Sequence, residues 1–480
     1  MQETMQQEKN AIDEFNIPLK RVVGWGAAVL MVIGNIIGTG VFKKLVPMAQ
    51  TGLGEDSILL AWIVAGLIVT LGAFTYAGLA KLTTAPGGSY EYLRLCFGNF
   101  PAFLGGWGLF IIMGSGSIAA LAFVFSQSVN VLVTLPNPLQ HWSHISIAGS
   151  IYPFESSGIK IFSVITVGVL TWFNIRGVKN SSVLNTIVTT AKILGILFLI
   201  VAGLLLAGPA PVAGNPAYQN SSLTNASFLS IFLGAMLSAF WAYDGFTNVT
   251  ALAGEIKNPK KNVAIAIIAG VLIVMALYVL VNYAFMKAMP LQQLAALGEN
   301  KIAATEIAGI LLGNKGKVLL SVLIILSSFG ALNIIILFYS RTYLRMAQEG
   351  FFFKKAAKIH PTFRTPYNAL WYSMLWSCLL VLSGTFDVLT NMVIFTGFAF
   401  YALNAVGLIK MKRKNVIKEK IPAYPVAPAL FILVTVIFLI GILINYPRQS
   451  LAGTALLLTG VPFYYYFKKK YRPTVASSTE

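Results

Sequence analysis

Apolar runs of twenty or so residues, divided by short polar turns, recur from Val22 to Phe467. A helix crossing the hydrocarbon core of a bilayer takes about 20 apolar residues. The runs predict twelve spans, near 22–50, 57–82, 101–133, 159–175, 184–208, 227–253, 263–288, 316–348, 367–385, 387–410, 426–446 and 448–467. The connections between them are short, and no soluble domain is inserted. The expected fold is an all-α polytopic membrane protein of about 12 transmembrane helices.

Two spans break the apolar pattern. The first contains Gly34, Gly38 and Gly40, and the sixth contains Tyr243, Asp244, Gly245, Thr247, Asn248 and Thr250. Glycine costs a helix roughly 1 kcal/mol relative to alanine. At membrane depth, irregular backbone survives only when buried in protein or facing a watery cavity. Both patches are therefore expected to face inward, as breaks in helices 1 and 6. Each broken span opens a block of five. Because five is odd, the second block inserts with opposite orientation, giving a 5+5 inverted repeat plus two additional helices. The expected units are a tail at 1–21, a first repeat at 22–208, a second at 227–410, helices 11 and 12 at 426–467, and a tail at 468–480. No clear sequence identity links the halves.

Composition agrees with lipid as the solvent. Hydrophobic residues make up 57% of the chain and charged residues 11%, against roughly 25% charged in soluble domains. The net charge of +19 is distributed as a topology signal, not as a nucleic-acid surface. With the N-terminus placed in the cytoplasm, the inner side carries 27 of the 35 basic residues and the outer side eight. That asymmetry puts both termini inside a cell membrane, plasma or bacterial inner. Residues 1–21 are polar and carry both signs, unlike a cleavable signal peptide. Cys96 and Cys378 fall in or beside spans and imply no disulfide framework.

If the first span unwinds at Gly34–Phe42, its second half presents free N–H groups, which attract an anion. Its first half presents free carbonyls, which suit a cation. A zwitterion satisfies both. Close glycine-mediated helix packing is the alternative, since Gly34 and Gly38 have small-xxx-small spacing. Asp244 is the one carboxylate expected near mid-membrane, where a charge costs at least about 2.5–3.5 kcal/mol. It either caps a second half-helix or binds a cation or proton. Trp241 and Tyr243 are gate candidates, with plain packing as the alternative. Lys192 lies about eight residues into the fifth span, roughly 12 Å deep at 1.5 Å per residue. Its ammonium either snorkels to the interface or bonds the broken first helix, where it would replace a coupling sodium. No paired intramembrane carboxylates, H-E-x-x-H or nucleophile elbow occur, and His141, His144 and His360 lie in loops, so no enzyme, metal or cofactor is expected.

Five motifs, in order, resemble the amino acid–polyamine–organocation superfamily, and most closely its L-amino-acid transporter family with bacterial relatives. Gly38-Thr39-Gly40-Val41-Phe42 resembles the first-span signature G-[ST]-G-[IV]-F. Pro86-Gly87-Gly88-Ser89-Tyr90-Glu91-Tyr92 resembles the reentrant loop after the second span. Asn174–Lys179, followed by Thr190-Ala191-Lys192, resembles the approach to a fifth-span lysine. Trp241-Ala242-Tyr243-Asp244-Gly245 with Gly254–Pro259 resembles the sixth span and its exit. Ser340-Arg341 with Met346–Gly350 resembles the end of the eighth. The match covers essentially the whole chain.

The resemblance implies a substrate-binding set of Ile36, Gly38, Thr39, Gly40, Trp241, Ala242, Asp244 and Gly245. A substrate carboxylate would meet the backbone at Thr39 and Gly40. The α-amino group would meet carbonyls near Ile36, Trp241 and Asp244. Trp241 takes the aromatic gate position, with Tyr243 beside it, and Lys192 the sodium-replacing one. Phe246 stands where the family often has Trp, a departure that touches side-chain specificity. Residues 134–158 contain no Cys, so no disulfide-linked heavy chain is expected. The leading expectation is sodium-independent exchange of neutral L-amino acids by alternating access. Proton-coupled symport through Asp244 or Glu255 is the alternative, and a channel the more remote one, since channels are usually built from rings of like residues.

Overall fold

The computed structural model describes residues 19–146, 152–206, 225–297, 302–383, 386–445 and 447–471. The tails as far as residue 18 and from residue 472 lie outside the described residues. The regular structure of those described is helical, with one isolated parallel bridge between Val23 and Ile256. Among the described residues, ten helices are long and apolar enough to span a bilayer. The shorter apolar helix Tyr367–Leu382 fills the ninth position. Helices Pro447–Leu458 and Gly460–Lys470 share the twelfth.

The exterior is apolar and the interior is not. Leu205 is 76% exposed and Ile444 72%, while Lys192, Glu255 and Arg341 are buried. Water would penalise that arrangement on both counts, and a bilayer favours the apolar surface. The chain is a multi-pass membrane protein.

Several boundaries differ from the sequence expectation. The first span is not one helix over 22–50. It runs Trp25–Ile36, breaks, and resumes as Gly40–Lys43 and Leu45–Ala49. The eighth starts well before residue 316, because Ala303–Gln348 is continuous apart from a turn at Gly313, whose φ of +64° suits glycine. The twelfth breaks at Thr459. A π-helical turn, Leu109–Met113, interrupts the third.

Packing partners interchange between span n and span n+5. The first span packs on the seventh and the sixth on the second. The fifth packs on the eighth, as the tenth does on the third. The third packs on the fourth, as the eighth does on the ninth. The second and seventh, third and eighth, and fourth and ninth meet directly. A two-fold relation between the halves requires these pairings, and it sets the broken first and sixth spans side by side.

Candidate substrate-binding site

The first break occupies Ile37–Thr39. Ile37 N–H still closes on Ile33 O at 2.8 Å, but Gly38 N–H folds back onto Ile36 O at 2.8 Å and ends the helix. The next half-helix starts with Thr39 O accepting from Phe42 and Lys43. Among the described residues, nothing accepts from the backbone N–H of Thr39, Gly40 or Val41. The Thr39 hydroxyl and Asn35 Oδ1 are buried and also without partners. Buried polar groups are nearly always paired, so five adjacent groups without partners describe a receptor for something polar.

The second break follows Tyr243. Gly245 adopts φ +94°, and a 3₁₀ helix begins at Asn248. Thr247 is the capping position of that helix. Asp244 therefore lies a turn ahead of it and does not cap it, against the capping expectation. Its carboxylate instead receives the Tyr401 hydroxyl at 2.8 Å.

The breaks are tied to each other and to the scaffold. Asn35 Nδ2 donates to Gly245 O at 2.7 Å. The Tyr278 hydroxyl lies 3.0 Å from Ile36 O and 3.1 Å from Ala242 O, bridging both. The Ser327 hydroxyl reaches Ile37 O and Gly38 O. Lys192 does not snorkel. Fully buried, it donates from Nζ to Gly34 O at 2.9 Å and to Ile37 O at 2.7 Å.

Glycine serves two ends here. A Cβ on Gly34 would lie 2.2 Å from Thr189 Oγ1, and one on Gly40 would lie 2.6 Å from Ala242 Cα. These two glycines permit close packing against the fifth and sixth spans; of the Gly34/Gly38 pair named for the packing alternative, only Gly34 is packed in that way. A Cβ on Gly38 would meet Leu121 at 3.5 Å and Ala331 at 3.8 Å, both ordinary contacts. Packing and ligand access thus coexist within one segment.

Between the breaks lies a cavity lined by Ile36, Gly38, Thr39, Gly40, Trp241, Ala242, Asp244 and Gly245. These are the eight residues the sequence resemblance implies. Asn35, Ser117, Leu121 and Ile335 complete the wall and were not anticipated. Of these, Asn35 lies within the Gly34–Phe42 segment marked by the sequence, and Ser117 carried a signal of its own, the Gly114-Ser115-Gly116-Ser117 run in mid-span. Of the two gate candidates, only Trp241 lines the cavity. Tyr243 is buried behind it, packed edge-on against Trp62 and bonded to Trp62 O at 3.2 Å.

One end of the bundle is sealed below the sixth-span break. Glu255 O accepts the N–H groups of Val22 and Val23, each at 3.0 Å, and Lys257 N–H returns to Val23 O. The Glu255 carboxylate pairs with Arg341 at 2.8 Å, and both side chains are buried.

Two interrupted helices facing each other across a small polar cavity, inside an inverted repeat, define a secondary transporter that works by alternating access. The chain belongs to the amino acid permease family, whose match extends over residues 23–466. It is similar to the serine/threonine exchanger SteT of Bacillus subtilis (strain 168), with 32% identity over 460 residues, covering 94% of this chain and 98% of that protein. It is also similar to the human large neutral amino acids transporter small subunit 2, at 27% identity over 94% of this chain and 81% of that one. The human b(0,+)-type amino acid transporter 1 is 26% identical over 94% and 88% respectively. These relatives are transporters, not enzymes.

Proposed function

We propose that this chain exchanges neutral L-amino acids across the membrane without sodium. One observation carries the reading: the consecutive N–H groups of Thr39, Gly40 and Val41 lack acceptors beside the bare Thr39 hydroxyl. A half-helix start of this kind suits a carboxylate. The α-amino group then turns toward the carbonyls of Ile36 and Trp241 and toward Asp244. Trp241 closes over the solute. Lys192 fills the position a coupling cation would need and holds the break open from behind. The similarity to a protein named as a serine/threonine exchanger supports both exchange and a small neutral cargo.

In this reading the repeats at 22–208 and 227–410 rock against each other, with both termini in the cytoplasm. The cavity has no charged side chain apart from Asp244, which favours a neutral solute. Residues 134–158 contain no Cys, which supports a chain that works without a disulfide-linked partner.

The test is uptake of labelled serine into proteoliposomes, with and without amino acid inside, sodium, and a pH gradient. Exchange predicts uptake that needs internal amino acid and ignores both ions. Uptake into empty vesicles driven by a pH gradient would overturn it in favour of proton symport. The Asp244–Tyr401 bond is the observation behind that second reading, because Glu255 is committed to Arg341.

A further inference from the structure

We propose that the lipid-facing side of the bundle holds one anionic phospholipid, with an acyl chain in a groove between the third, ninth and twelfth spans and its phosphate among Lys355, Lys468, Lys469 and Lys470. The groove is separate from the substrate cavity and plays no part in the transport reading above.

Its walls are three stacked aromatic pairs. Trp107 lies on Phe463 with centroids 4.5 Å apart, Phe353 on Tyr372 at 5.2 Å, and Phe110 on Trp376 at 6.1 Å. Leu375 and Leu379, each 55% exposed, open it to the bilayer. Both indole N–H groups in the walls and the Thr459 hydroxyl are already used. Trp376 Nε1 donates to Ile111 O at 3.1 Å, and Trp107 Nε1 to the Thr459 hydroxyl at 3.1 Å. That hydroxyl in turn donates to Leu456 O at 2.6 Å. Apart from the Tyr372 hydroxyl, what remains is hydrocarbon and ring faces, which match an acyl chain and disfavour a polar solute.

The break at Thr459 gives the groove its shape. A Cβ on Gly460 would lie 2.6 Å from Trp107, so the second segment of the twelfth span sits close enough for Phe463 to cover that ring. A straight helix would lack this turn.

Charge marks one end. Phe353 lines the groove, and its ring meets Phe467 edge-on at 5.5 Å. Lys355 stands two residues after Phe353, and Lys468, Lys469 and Lys470 directly follow Phe467. All four lysines are exposed. Lys470 is steadied by a 2.7 Å bond to the Tyr466 hydroxyl and lies 5.1 Å over that ring. The nearby carboxylate of Glu349 is occupied by Arg345 and Arg94. An apolar trough ending in clustered lysines is complementary to a lipid with a hydrocarbon tail and an anionic head.

Native mass spectrometry of the full chain, released from equimolar phosphatidylglycerol and phosphatidylcholine, tests the proposal. One phosphatidylglycerol should be retained, favoured about tenfold over phosphatidylcholine. The combined variant K355Q/K468Q/K469Q/K470Q should remove that preference. Leu379→Trp, which fills the trough and leaves the lysines intact, should lower retention as well. Phosphatidylglycerol brominated on its acyl chain should quench tryptophan fluorescence in the unaltered protein. Equal retention of the two lipids would overturn the proposal. So would loss on removing charge with no response to Leu379→Trp and no bromine quenching, which is the behaviour of a diffuse basic surface.

Discussion

The side-chain amide of Asn35 donates to the carbonyl of Gly245 at 2.7 Å, joining positions 210 residues apart. A Cβ on Gly245 would lie 2.2 Å from that amide nitrogen, so the contact itself demands glycine. Asn35→Ala leaves the Gly245 carbonyl with only the Asn248 N–H. Losing one such bond costs about 1 kcal/mol. The variant should melt a few degrees earlier in detergent and exchange substrate more slowly. An unchanged melting temperature would mean that the two breaks are not energetically joined.

Lys192→Ala should yield a folded protein that has lost most of its transport. The substitution deletes donors to Gly34 O and Ile37 O, of which only the latter keeps Ser327. Hydrogen bonds from a charged group are worth roughly 1.5–3 kcal/mol each. Exchange should fall more than about tenfold, while the size-exclusion profile stays monodisperse. Wild-type turnover would remove Lys192 from the mechanism.

Gly38→Ala should change which amino acids are accepted. Its new methyl fits against Leu121 and narrows the cavity without strain. One methylene in such a pocket is worth about tenfold or more. In a competition panel, glycine, alanine and serine should still compete, and branched or aromatic residues should lose that factor. Gly40→Ala is the contrasting case. Its methyl collides with the Ala242 backbone, and exchange of every amino acid should stop. Equal effects on small and large substrates at Gly38 would mean that it does not face the solute side chain.

Glu255→Ala and Arg341→Ala should each destabilise the protein more than the double variant does. Removing one member of a buried ion pair strands the other, at roughly 3–5 kcal/mol. The two side chains meet at 2.8 Å with essentially no exposure. A double-mutant cycle on thermal unfolding measures the coupling. Strict additivity would reduce the pair to a coincidence of packing.

Both breaks were legible in the sequence because each interrupts its own apolar run with glycine and polar residues, and Lys192 stood out as a charge deep in a span. What surrounds them was not. Tyr278 bridges both breaks from a seventh span with no local polar pattern, and Tyr401 reaches Asp244 from the tenth. One-dimensional periodicity says that a helix is buried, but not which helix lies opposite which residue. Ser327 was visible as a hydroxyl, yet its target, the carbonyls of Ile37 and Gly38, exists only once the helix has opened. The capping alternative for Asp244 fails for a related reason. The second half-helix starts later than its glycine suggests, because Gly245 turns the chain and two more residues, Phe246 and Thr247, pass before regular structure resumes. The start of the eighth span was misjudged because the segment at Ala303–Leu312 joins the longer helix through Gly313.

The ammonium bonded to Ile37 and Gly34 is attached to the protein by a covalent stem. An ion that binds from solution has a concentration on each side of the membrane, and their difference can perform work. A tethered charge has none. In the role proposed for Lys192, it supplies the electrostatics of a bound cation and transmits no driving force. Under the proposed exchange, whatever crosses through this cavity follows the ratio of cargo on the two sides, so the composition of the cell's amino acid pool sets the direction of traffic.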